Sequence, residues 1–278
     1  MPELPEVETV RRCLAAALEG RVLARVVPRR AGLRVPLPAD MSQRLAGRRV
    51  LAVGRRAKYL LVDFEGGETL IVHLGMTGRF RIFGETAEAD VHDHVIFQTA
   101  DAIAVHYHDT RRFGLMTLCR GGAESHPLLS KLGVEPLGNE FSGAYLTERL
   151  AGRKGPLKPA LMDQSVVAGM GNIYASESLF RAGLSPRRQA GSVGAGRAQR
   201  LARAIREVFA EAIAAGGTTI SDHRLPSGEE GNFRQRLAVY ARAGQPCPGC
   251  DCDLAKSGGV ARIVQSGRAT FYCAKGQR

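Results

Sequence analysis

Tryptophan is absent from this chain of 278 residues, and lysine occupies only six positions against 33 arginines. No stretch approaches the roughly 20 consecutive apolar residues that a transmembrane helix requires. No basic amphipathic helix stands out either, which argues against a membrane partner. Nor does a positively charged n-region followed by an apolar h-region open the chain, which predicts a cytoplasmic protein. Cysteine is sparse and unevenly placed. Cys13 and Cys119 stand alone and read as small buried hydrophobes, whereas Cys247, Cys250, Cys252 and Cys273 crowd the last 32 residues. In a reducing compartment that crowding predicts a metal site rather than disulfides. What the chain has in excess is positive charge: 39 Lys plus Arg against 27 Asp plus Glu leave +12. Such a balance suits a polyanionic partner, nucleic acid first.

With 44% hydrophobic content, the chain is long enough for two compact units with separate cores. Val7, Val10, Leu14 and Leu18 recur at three- and four-residue steps, the buried stripe of an amphipathic helix from Leu4 to Leu18 that ends at Gly20. Alternating or β-branched runs follow at 21–27, 49–55, 58–64, 69–74, 79–83, 91–98, 102–107 and 114–118, and together they predict a β-sandwich. Beyond about residue 120 the texture turns to linker and then to helix. Asn172 is expected to cap a helix running through Phe180, and a second helix over 196–215 buries Leu201, Ile205, Val208, Phe209 and Ala212. The tail from 237 returns to strand-like hairpins. The fold class expected is α+β, divided into 1–135, 136–236 and 237–278.

The chain opens MPELPEVE. Once Met1 is removed, Pro2 presents a secondary amine, which no side chain supplies, able to add to an aldehyde-like carbon and form an iminium ion. Glu3 lies beside it, with Glu6 and Glu8 close behind. The plainer reading, that proline and glutamates simply start a helix, is compatible with the chemical one. In GMGNIYASE, Gly169 and Gly171 allow the backbone near a ligand, and Asn172 opens a helix whose free N–H groups suit a phosphate. Lys58 in RRAKYLLV belongs to the one basic type able to shed a proton for elimination chemistry, although a lysine beside a strand is commonly only solvated. His73 and Met76 in HLGMTGRF fall on a strand end and its turn, poised for a groove or packed into the core.

Arg111 and Phe113 of DTRRFG lie two apart and so share one face of an extended segment. A cation beside an aromatic can wedge into a base stack; exposed arginine with buried phenylalanine is the ordinary alternative. His92, His94, His106 and His108 pair on strand faces, but Asp93 and Asp109 are expected to face otherwise, so packed or surface histidines are favoured over a metal set. Cys247-x-x-Cys250 forms half of a zinc-ribbon pattern and Cys273 begins the other half, with Gly276 standing where the fourth ligand belongs. Cys252, water or an outside ligand can complete the set, or the hairpin can fold metal-free around Val260, Ile263, Phe271 and Tyr272. One Zn2+ per chain on Cys247, Cys250 and Cys273 is the expectation.

In order and spacing, MPELPEVE, the Lys58 strand, HLGMTG, DTRRFG, GMGNIYASE and QSGRATFYC resemble the formamidopyrimidine-DNA glycosylases of bacterial base-excision repair, the Fpg or MutM family. Leu4 and the trio Met76, Arg111 and Phe113 set the chain apart from the related endonuclease VIII branch. The resemblance implies a helix-plus-β-sandwich domain, a helix–two-turns–helix domain and a zinc-ribbon-like hairpin finger, with DNA crossing the cleft between domains. It implies that Pro2 attacks C1′ of an extruded nucleotide, that Glu3 passes protons, that Lys58 joins the catalytic set, and that Glu6 supports the first helix. Lys58, His73, Asn172, Tyr240 and Arg268 would grip phosphates. Met76, Arg111 and Phe113 would fill the hole in the stack, Arg111 pairing with the opposite cytosine, while 217–232 covers the extruded purine. The implied partner is double-stranded DNA with oxidised bases, bound by a monomer and cut by β- and δ-elimination. A non-catalytic binder of damaged DNA and an endonuclease VIII-like glycosylase for oxidised pyrimidines are the alternatives.

Overall fold

Periodicity at steps of two and of three to four residues becomes strands and helices at nearly the expected places. The computed structural model describes residues 1–85, 87–218, 232–250 and 254–278, and it divides into two units: Met1–Ser130 with Ala215–Arg234, and Lys131–Ala214 with Gln235–Arg278.

In the first unit, helix α1 (Leu4–Leu18) starts with a capping box: Glu3 accepts the Glu6 N–H, and the Glu6 carboxylate accepts the Glu3 N–H at 2.9 Å. Two backbone donors that would otherwise be orphaned at the helix start are thereby satisfied. There follow β1 (Leu23–Pro28), α2 (Met41–Leu45), β2 (Val50–Arg56), β3 (Tyr59–Phe64), β4 (Glu68–His73), β5 (Arg79–Phe83), β6 (Asp93–Thr99), β7 (Ala104–His108) and β8 (Leu115–Arg120). They form two antiparallel four-stranded sheets in the orders β1-β6-β7-β5 and β2-β3-β4-β8. Alternate residues face inward: Val26, Val95, Phe97 and Val105 from one sheet meet Val53, Leu60, Val62, Leu70, Val72 and Met116 from the other. The α1 stripe Val7, Val10, Leu14 and Leu18 belongs to the same core. Each such side chain contributes about 1.5–3 kcal/mol on burial, which is what holds the short helix to the sheets.

The histidine strands correct one expectation. A bulge between Asp93 and Val95 shifts the register of β6 on β7, so that Asp93 pairs with His108 while Val95 pairs with Tyr107. The extra residue turns Asp93 onto the histidine side. Its buried carboxylate meets His106 Nδ1 at 2.9 Å and His108 Nδ1 at 3.0 Å and accepts the Asp90 N–H at 2.9 Å. His94, His106 and His108 are buried. Among the described residues the histidines form no metal-type cluster.

The second unit contains α3 (Gly143–Leu150), α4 (Leu157–Met162), α5 (Asn172–Arg181) and α6 (Ala195–Ala214), then the antiparallel hairpin β9 (Val260–Gln265) and β10 (Arg268–Cys273). Leu201, Ile205, Val208, Phe209 and Ala212 of α6 are all buried, and Phe209 meets Tyr174 of α5 edge-on with ring centroids 5.3 Å apart. Asn172 does not cap α5. Gly171 takes the cap position and Asn172 is the first helical residue, which frees its side chain for other partners.

Candidate active site

At the amino end, Pro2 is buried immediately ahead of α1 while Met1 is exposed. Glu3 is 2% exposed and extended, with φ −101° and ψ −175°. The Glu6 carboxylate does double duty. Besides the Glu3 N–H, it accepts both the N–H and the hydroxyl of Thr218, at 2.8 and 2.9 Å. Glu8, the third acid of the opening motif, is held instead by Arg11, Arg12 and Arg55.

Lys58 sits in the two-residue turn between β2 and β3, where Arg56 pairs with Tyr59. Ala57 takes φ +52° there, a left-handed conformation that costs a side-chain-bearing residue about 1–2 kcal/mol. Lys58 is only 6% exposed, so it is not the solvated lysine of the plainer reading. His73 ends β4, opposite Tyr59, and the two rings stand 5.0 Å apart. Burial first, then the positive charges of Lys58 and Arg34, push the His73 pKa down to about 4. His73 is therefore neutral at pH 7. Its Nδ1 accepts the Gly75 N–H at 3.0 Å, which places the ring proton on Nε2 as a donor.

The sign of this shift gives a pH dependence. Unfolded histidine protonates near 6.5 and the folded one near 4, so the stability His73 contributes is complete above about pH 6.5 and is lost as pH falls toward 4. Replacing it by leucine is expected to flatten the melting temperature between those two pH values, as read from thermal melts at closely spaced pH. A slope unchanged from the unsubstituted chain counts against the assignment.

Met76 and Phe113 are 43% and 45% exposed, large apolar side chains held out in water. Arg111 is also exposed, and its guanidinium carbon lies 4.7 Å from the Phe113 ring centroid. Arg111 and Phe113 do come together, but not by strand alternation as expected. Arg112 adopts φ +56°, so the segment between β7 and β8 is a turn that folds the cation over the ring.

In the second unit, Asn172 Nδ2 donates to the Ala269 carbonyl at 3.0 Å and to the Tyr240 hydroxyl at 3.4 Å. Lys158 of α4, 1% exposed, donates to Asn172 Oδ1, to Thr270 Oγ1 at 2.9 Å and to the Ala269 carbonyl at 3.3 Å. The Glu177 carboxylate accepts three successive backbone N–H groups, Ala238 at 2.8, Val239 at 3.0 and Tyr240 at 2.7 Å. Burial raises its pKa above the usual carboxylate value in spite of these donors. The Tyr240 ring rests edge-on against Phe271 at 5.2 Å. Arg268 is exposed at the tip of the β9–β10 hairpin, just after Ser266 and Gly267, whose φ values of 48° and 73° make the tight left-handed turn such hairpins favour. Asn172, Tyr240 and the strand carrying Arg268 are thus brought together. Lys158 and Glu177 were missed in the sequence; the one available signal was a lysine inside the apolar string GPLKPALM.

The sulfurs of Cys247, Cys250 and Cys273 lie within 4.8 Å of one another, with Cys250 and Cys273 at 3.7 Å. Thiolates at about 2.3 Å around a tetrahedral zinc stand roughly 3.8 Å apart, so three corners of a metal site fit. Gly276 offers no side chain, but its N–H donates to Cys273 Sγ at 3.2 Å. Cys252 lies outside the described residues, as does most of the segment 217–232. Gln277, 4% exposed, accepts the Cys273 N–H at 2.7 Å and donates to the Leu184 carbonyl at 2.8 Å.

Two family descriptions match the chain: "Formamidopyrimidine-DNA glycosylase N-terminal domain" over residues 1–116 and "Formamidopyrimidine-DNA glycosylase H2TH domain" over 132–224. A formamidopyrimidine-DNA glycosylase from Rhodospirillum rubrum is 53% identical, covering all of both chains. The crystal structure of the MutM (Fpg) protein of Thermus thermophilus is similar with a TM-score of 0.87 and 43% identity, covering 99% of this chain and 98% of that one. Lactococcus lactis Fpg in complex with DNA containing an abasic site gives a TM-score of 0.88 at 30% identity, with 99% of each chain covered. A buried proline ahead of a capped first helix, the paired sheets behind it and likeness along its whole length agree: the chain belongs to the formamidopyrimidine-DNA glycosylase family.

Proposed function

We propose that the protein is a bifunctional DNA glycosylase and AP lyase that excises oxidised purines, 8-oxoguanine and formamidopyrimidines, from double-stranded DNA. The observation that carries the reading is Pro2, buried at the positive end of α1 with the Glu3 carboxylate next in the chain. With Met1 removed, the Pro2 nitrogen bonds to C1′ of the extruded nucleotide as the bond to the base breaks, and the base leaves with that electron pair and takes up a proton. Glu3 transfers protons to and from the sugar. The proline nitrogen gives up its proton, and as Glu3 protonates O4′ the C1′–O4′ bond breaks, leaving the iminium of the opened sugar; this acidifies the C2′ proton, whose loss expels the 3′ phosphate, and δ-elimination then expels the 5′ phosphate and leaves a one-nucleotide gap.

Lys58 joins Pro2 and Glu3 as a basic group held out of water. His73, as a neutral Nε2–H donor, and Asn172, Tyr240 and Arg268 bind phosphates and fix the register of the duplex. Met76, Arg111 and Phe113 occupy the space the extruded base leaves, and Arg111 pairs with the cytosine opposite. Glu6 has a supporting role. Cys247, Cys250 and Cys273, whose sulfurs lie within 4.8 Å of one another, would hold a structural zinc ion, which would fix the hairpin that carries Arg268. The working division is 1–135, 136–236 and 237–278, and the protein acts as a monomer in the cytoplasm. No helix among the described residues is long and apolar enough to cross a membrane.

The reading is tested by comparing base release from duplexes containing 8-oxoguanine opposite cytosine and thymine glycol opposite adenine. Faster release of 8-oxoguanine is expected. Faster release of thymine glycol overturns the substrate assignment, and tight binding without strand scission overturns the enzymatic one.

A further inference from the structure

Two loops of the first unit carry the three exposed side chains Met76, Arg111 and Phe113, and neither loop is regular structure. What holds them is a single buried carboxylate. Asp109, fully buried, accepts the Thr77 hydroxyl on Oδ1 at 2.5 Å and the Gly114 N–H on Oδ2 at 2.8 Å. The Tyr107 hydroxyl approaches Oδ2 at 3.4 Å. Thr77 Oγ1 then accepts the Arg111 N–H at 3.1 Å. One hydroxyl therefore donates to the carboxylate and receives the backbone amide of Arg111, linking the loop after β4 to the loop after β7.

The contact is tight on the glycine side as well. A Cβ on Gly75, which has φ +64°, would lie 2.3 Å from the Phe113 carbonyl carbon, and one on Gly114 would lie 1.7 Å from the Tyr107 hydroxyl. Gly75 lets the two loop backbones touch and Gly114 lets the Tyr107 hydroxyl lie against the chain, while the Asp109–Thr77 pair locks the loops in one register.

We infer that Asp109 and Thr77 are positioning residues for the void-filling trio: they fix Arg111 and Phe113 against Met76 before DNA arrives, so that the bases are separated by a preformed wedge. The inference rests on the proposed role of that trio. Asp109 and Thr77 are both buried. Their effect passes through the Arg111 backbone, and it falls on recognition of the base opposite the lesion. Preorganisation of this kind reduces the ordering cost of binding rather than adding a contact.

The test is the ratio of 8-oxoguanine excision opposite cytosine to excision opposite adenine, measured on one preparation so that any inactive fraction cancels. Thr77→Val keeps the shape but removes the hydroxyl, and is expected to lower that ratio about tenfold, the scale of one lost base-directed hydrogen-bond pair. Thr77→Ser restores the hydroxyl and is expected to recover the ratio to within about twofold. Arg111→Ala run alongside separates the two levels. If Arg111→Ala abolishes the preference for cytosine while Thr77→Val leaves it intact, the positioning role is wrong and the trio's role stands. If Arg111→Ala leaves the preference intact, the reading beneath the inference fails and the inference with it.

Discussion

Protein that keeps Met1 gives no borohydride-trapped adduct with duplex containing 8-oxoguanine, whereas protein beginning at Pro2 is trapped covalently. That is the largest effect expected for this chain. An N-terminal proline is a secondary amine with a free electron pair; the same nitrogen behind Met1 is a tertiary amide whose pair is delocalised into the carbonyl. No other group in the opening motif replaces it, because Glu3 and Glu6 are occupied with the helix start and with Thr218. Base release is expected to fall on the order of 10^6-fold, the scale of removing a nucleophile from an otherwise intact site. The measurement is sodium borohydride trapping followed by peptide mapping, with intact mass confirming which terminus is present. An adduct that maps to Lys58 instead would show that the nucleophile has been assigned to the wrong nitrogen.

Glu177→Ala is expected to be the most damaging substitution away from the amino end. Its two oxygens take three backbone N–H groups in succession, and alanine leaves the buried Val239 donor and the half-buried Ala238 and Tyr240 donors without an acceptor. Each such donor costs about 1–3 kcal/mol. Partial relaxation and water entry reduce the sum, so a loss of about 3–5 kcal/mol is expected, or roughly 10 °C in melting temperature for a chain of this size. Glu177→Gln keeps one acceptor oxygen and should fall between. Because the third amide belongs to Tyr240, which also meets Asn172 through its hydroxyl, weaker binding to an abasic-site duplex should accompany the lower melting temperature. Thermal melts and fluorescence anisotropy measure the two; an alanine variant that melts within about 2 °C of the parent would remove the carboxylate from its proposed place.

Much of the fold is legible in the sequence because burial leaves a period. The α1 stripe, the eight strand runs and the inner face of α6 all follow from side chains repeating at steps of two or of three and four. Where the pattern misleads, a local backbone decision has intervened. The bulge at Asp93 moves an acid onto the histidine face, and the left-handed Arg112 replaces alternation by a turn between Arg111 and Phe113. Neither is encoded in hydrophobic spacing. The candidate site divides the same way. Pro2, Glu3, Lys58 and Asn172 announce themselves through unusual chemistry in short strings. Lys158 and Thr270, 112 positions apart, or Glu6 and Thr218, 212 apart, meet only after the chain has folded.

The residues near both ends of the chain are packed into the fold. Pro2 is buried at one of them, and at the other Gln277 fastens Cys273 to Leu184 while the Arg278 N–H reaches the Gly183 carbonyl at 3.1 Å. On the proposed mechanism an affinity tag or fluorophore at the front blocks the amine, and one at the rear pulls on the strand that carries Arg268. Probes for following this protein on DNA therefore belong mid-chain, at open positions such as the exposed Gly196, where an added side chain meets nothing within 4 Å and the backbone is not left-handed.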